Sequence, residues 1–134
     1  MLQHITLHLA RCPEFPEGSS ERGYEFVAPL NASAHLDVEE WKHNRAQCRV
    51  RRFWPGESDR HGRLVHLGGG QGGTWAVRYG GQDSSEGETG VRLSTHCFAE
   101  GEYVSIRDDE GHAHTFKIAR LRPLKATQQQ VVHR

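Results

Sequence analysis

Ten histidines and three cysteines are the residues of this chain best equipped for chemistry. His112 and His114 stand two apart in GHAHTF, so on a strand both side chains project to one face. Parity counted from Val91 and Leu93 turns Cys97 inward and His96 outward, and a bulge near Ala99 would exchange the two. With Cys97 inward, Cys97, His112 and His114 would offer one thiolate and two imidazoles, a donor set suited to Zn²⁺. Neither HExxH nor a paired CxxC accompanies them, and His-x-His arises readily by chance in a chain this rich in histidine. Polar residues that finish a strand beside a turn, with Cys97 as a small buried hydrophobe, explain the same pattern. The sequence requires no cofactor, and Zn²⁺ is the metal these residues would take.

A second source of chemistry is CRVRRFW, Cys48 to Trp54, with Arg45 just before it. Arginines beside aromatics can hold phosphates and stack a base. On a strand, Arg49 and Arg51 share a face with Phe53, while Val50, Arg52 and Trp54 share the other. That leaves a thin basic patch. The 17 basic and 17 acidic residues of the whole chain give nucleic acid no general attraction. RNA binding through the Arg49–Trp54 strand is therefore the lesser reading. Arg45-x-x-x-Arg49 resembles the cyclic-dinucleotide motif of PilZ domains, but the D/N-x-S-x-x-G partner that should follow is absent.

Other motifs carry less. The glycines from Gly68 to Gly73 lead into Thr74-Trp75-Ala76-Val77, a strand pattern, whereas a phosphate cradle needs Lys-Ser or Lys-Thr and a helix. Asp108, Asp109 and Glu110 lack the ligand spacing of a Ca²⁺ loop. No GxSxG is present, and nothing selects a catalytic nucleophile.

The elements that must position these residues read mainly as strands. Gly101 to Leu121 is a β-hairpin, in which Val104 and Ile106, then Phe116 and Ile118, alternate with polar residues around an Asp108–Gly111 turn. Residues 3–11, a short run from Tyr24 to Ala28, Cys48–Trp54, Leu64–Leu67, Thr74–Tyr79 and a run from Val91 to Thr95 supply the other strands. Pro13 to Gly23, Glu57 to Gly62 and residues 80–90 read as loops. One helix is expected over residues 38–45. Asp37 is its N-cap, Glu40 the reciprocal partner of a capping box, and Leu36 and Trp41 a hydrophobic staple. The fold class is mainly β, a small antiparallel β-barrel or barrel-like sandwich with one short helix. Residues 1–122 form a single β-rich domain, and 123–134 a disordered C-terminal tail.

RCPEFPEGSSERGYEFVAPL, CRVRRFWPGE and GEYVSIRDDEGHAHTFKI together resemble a family of small bacterial single-domain proteins with no assigned activity. The resemblance covers most of residues 5–122 and implies a bacterial origin, with no chemistry attached. Three scattered cysteines, without close pairs, read as reduced thiols of a cytoplasmic protein. MLQHITLHLARC is not expected to be a signal peptide, and no apolar run approaches the ~20 residues that span a bilayer. The leading expectation is a non-catalytic binding or accessory module for a small ligand, peptide or protein partner. Its site is a barrel mouth or groove lined by Tyr24, Trp54, Trp75 and Tyr79 with Arg52 or Arg78. A metal protein using Cys97, His112 and His114 is the alternative.

Overall fold

The structure, a computed structural model, describes residues 1–68, 74–79, 87–91 (backbone only), 93, 96–108 and 110–124. The elements are β1 (Leu2–Leu9), β2 (Ser19–Pro29), α1 (Val38–His43), β3 (Arg49–Phe53), β4 (Arg60–Leu67), β5 (Thr74–Tyr79), β6 (Gly87–Val91), β7 (Tyr103–Arg107) and β8 (Ala113–Pro123). Each strand pairs antiparallel with the next, and β8 returns to β1, so the sheet closes into an eight-stranded up-and-down barrel. Closure leaves no strand edge to be protected.

Alternation decides what goes inside. The final hairpin pairs Val104 with Phe116 and Ile106 with His114, and Val104, Ile106, Phe116 and Ile118 are all buried, as the sequence pattern predicts. Ile5, Leu7, Tyr24, Phe26, Val50, Leu64 and Val77 fill the rest of the lumen. The space left among them is about 20 Å³, room for about one water molecule. Two glycines let the walls meet. A Cβ at Gly23 would overlap the carbonyl oxygen of Leu7, and one at Gly62 would overlap that of Arg78.

One end of the barrel is plugged by α1. The Asp37 carboxylate caps the helix by accepting the Glu40 N–H at 3.2 Å. Leu36 and Trp41 are both buried there, and Trp41 Nε1 donates to the Leu64 carbonyl at 2.9 Å. The expected capping box is only half formed. The Asp37 N–H donates to the Pro29 carbonyl, and the Glu40 carboxylate instead pairs with the Met1 amino group. The helix ends at His43 rather than Arg45, and a 3₁₀ turn, Arg45–Gln47, leads into β3.

Three boundaries differ from expectation for one reason: backbone ladders form where side-chain alternation is weak. β2 begins at Ser19, inside the expected loop to Gly23. β4 begins at Arg60, because the polar run Arg60–Arg63 pairs with Arg49–Arg52. β6 occupies Gly87–Val91, in the stretch read as a loop, and pairs with β5 and β7. Of the strand expected from Val91 to Thr95, Val91 is the last residue of β6 and Leu93 is buried, while residues 92, 94 and 95 lie outside the described residues. The expected tail lies outside the described residues from 125 onward. Among those described, no helix is long and apolar enough to cross a membrane.

Phe116 is 1% exposed and packs edge-on against Tyr24 at 5.1 Å between ring centroids. Phe116→Ala should destabilise the fold by ~3–5 kcal/mol. Urea unfolding measures this, and a loss under ~1 kcal/mol would contradict the packing.

Candidate functional site

The end of the barrel opposite α1 carries arginines at inward positions, with Phe15 and Trp54 packed against the core beside them. The register makes this so. Tyr24 lies opposite Arg52, and Arg52 opposite Arg60, so both arginines share the inward face of buried Tyr24. Like charges directly opposite each other are unfavourable, and here each guanidinium rests on an aromatic face. Arg52 lies 4.4 Å from the Trp54 ring centroid and Arg60 4.0 Å from that of Tyr79. Arg52 Nη1 also donates to Glu57 Oε1 at 3.1 Å.

Arg22 joins them by an irregularity. β1 pairs His8 with Gly23 but Leu9 with Ser19, so Ser20, Glu21 and Arg22 form a bulge in β2. Bulges re-aim side chains. The Arg22 guanidinium stacks 4.1 Å from the Phe15 ring centroid and 5.9 Å from that of Trp54. From Trp54 the aromatic contacts continue inward through His114, 6.2 Å away, to Phe116, a further 6.5 Å. The mouth is thus a cationic rim on an aromatic wall continuous with the core.

The turn Asp108–Gly111 closes one side of this rim. Gly111 takes the left-handed φ of 89° that the turn demands. Asp108 Oδ1 accepts the N–H groups of Glu110 at 3.0 Å and His112 at 2.8 Å, and Oδ2 lies 3.5 Å from His114 Nε2. Burial pushes the Asp108 carboxyl upward, but the two N–H donors and the histidines outweigh it, and the net direction is down.

The residues singled out in the sequence divide between places. Tyr24, Arg52, Trp54 and Tyr79 gather at this mouth, although Tyr24 and Tyr79 are buried as its floor. Trp75 is 1% exposed at the opposite end, 5.7 Å from Trp41. Arg78 is exposed on the outer wall beside Arg63. His112 and His114 belong to the mouth. Cys97 is exposed, neither inward nor on a strand, and its thiol donates to the Ser33 carbonyl at 3.7 Å in the β2–α1 connection near the plugged end. No three metal-ligating side chains come together among the described residues. Of the basic strand, Arg51 faces outward and is paired with Glu25 and Asp59, each at 2.8 Å. Cys48 is fully buried, and burial, then Glu40, raises its thiol to about 11. Arg22, Arg60 and Phe15 were not among the expected site residues. Arg60 lay in an apparent loop, and only the bulge brings Arg22 inward.

A second concavity of about 430 Å³ runs along the outer wall, where His8, Arg11, Glu17, Ser19, Tyr103 and Lys117 border it. Burial, then Arg120, lowers the His8 pKa. Its charges are of both signs, and among the described residues its one cation–π or ring contact is that of His8 with Phe53 on the outer face. Compared with protein-family models, curated proteins and solved structures, the chain matches none.

Asp108 supplies a pH test. Its folded carboxyl lies below its ordinary value, so its stabilisation is complete above about pH 4 and is lost as pH falls through the folded value. The urea midpoint of Asp108→Asn should therefore fall less steeply than that of the native chain between pH 5 and pH 2, both taken as approximate limits. Parallel curves would show that the carboxylate gains nothing from the turn.

Proposed function

We propose that this is a non-catalytic binding module, bacterial and cytoplasmic, that takes a small ligand at the barrel mouth. The observation that carries the reading is the contrast between the two ends. A helix and apolar side chains seal one, while guanidinium groups held on aromatic faces rim the other. Planar cations on a rigid strand scaffold are suited to orienting a ligand, and the aromatic wall supplies apolar contact. A filled lumen keeps the ligand at the rim, unlike the interior site of wider barrels. Three unpaired cysteines are in keeping with a reducing compartment.

The three tryptophans make the test direct, because each contributes one indole N–H signal to an NMR spectrum. In a screen of small aromatic and polar fragments, binders should shift the Trp54 signal and leave those of Trp41 and Trp75 in place. Trp54→Ala should weaken them by about ten-fold or more, the scale of a lost aromatic anchor. Binders that move only Trp41 and Trp75, or that map to Tyr103 and Lys117, would place the site elsewhere and refute the mouth.

A further inference from the structure

The ligand's chemical class follows from the charge of Arg22. Arg51 has two carboxylate partners and Arg52 has one in Glu57. Arg22 has none among the described residues. Its Nη1 donates to Ser19 Oγ at 3.0 Å, and its Nε is buried with no acceptor. Stacking on Phe15 and Trp54 fixes the plane of the guanidinium but supplies no acceptor. A half-buried cation with an unused N–H costs free energy until an anion pairs with it.

Resting on the mouth as the binding face, we infer that the ligand carries an oxyanion, a carboxylate or a phosphate, and that Arg22 is the residue that receives it. The fork of a guanidinium matches two oxygens of either group. The three-residue bulge gives Arg22 its inward aim. Trp54 and His114, next along the wall, meet the part of the ligand that bears the anion. Phe15 sits on the connection between β1 and β2 rather than on a barrel strand, where it exchanges backbone hydrogen bonds with Cys12.

The experiment is an NMR titration of the full chain at constant ionic strength with inorganic phosphate, with benzoate and with neutral benzamide. The Arg22 Nε–H and the Trp54 indole N–H are the signals followed. Saturable shifts with either anion are expected, with phosphate alone indicating a phosphate group and benzoate alone a carboxylate. Arg22→Gln should weaken the anion by about ten-fold or more, and Arg51→Gln, on the outer wall, should not. Should the glutamine variant fail to fold, Arg22→Lys keeps the charge without the fork and should still lose several-fold affinity. Benzamide shifting the mouth while both anions leave it unmoved would overturn the oxyanion and leave the mouth standing. Anion binding that is unchanged in the Arg22 variants would overturn the role of Arg22. No shift with any of the three probes would overturn the oxyanion as well, the mouth then resting on its own fragment screen.

Discussion

The pairing of β8 with β1 is the constraint on which the rest of the structure depends. Closing eight strands into a ring fixes a lumen that side chains alone can fill. Ile5, Leu7, Phe26, Val104, Phe116 and Ile118 fill it. Closure also demands backbone approaches that only glycine permits, at Gly23 against β1 and at Gly62 against β5. Once the lumen is packed, chemistry has only the ends and the outer wall left to it.

The two ends meet the same difficulty differently. At one, the Asp37 cap holds a six-residue helix whose Trp41 spans the opening and bonds the Leu64 carbonyl. A helix that short has little stability of its own and exists because its apolar face is buried. At the other end the strands carry arginines at inward positions, where a leucine would have continued the core. Aromatic faces make this tolerable, because a guanidinium is weakly hydrated and stacks well. The cost of desolvating several cations is still real, and a fold under no other demand would place apolar groups there.

Alternation made much of this fold legible in the sequence. The final hairpin, β5 and the Asp37 cap all follow from residue spacing, because each has a clear apolar face or a specific capping oxygen. β6 was not legible: GETGV has no alternation, and its place comes from two neighbouring ladders. Nor was the start of β4, whose Arg60–Arg63 run is polar on both faces. The site was half legible for the same reason. Parity alone put Arg52 and Trp54 on one face of β3, but joining them to Arg60 needs the β3–β4 register. Trp75 was drawn toward the site by residue type and Cys97 by a strand parity that does not extend to it, when position along the strand or loop sends both to the other end.

Net charge was the least informative quantity. A chain with equal numbers of acids and bases can still concentrate one sign where it matters. Arg51 and Arg52 are adjacent in sequence and opposite in consequence. Arg51 turns outward into a solvent-side cluster with Glu25 and Asp59, where screening makes such pairs weak. Arg52 turns inward onto Trp54 and pairs with Glu57, where the dielectric is lower and charge interactions count for more. Arg22 goes one step further, since a bulge delivers it to the same aromatic wall with no carboxylate partner among the described residues. Irregular backbone that brings an unneutralised cation inward lowers stability unless something binds there, and that is the physical case for reading the mouth as a binding face.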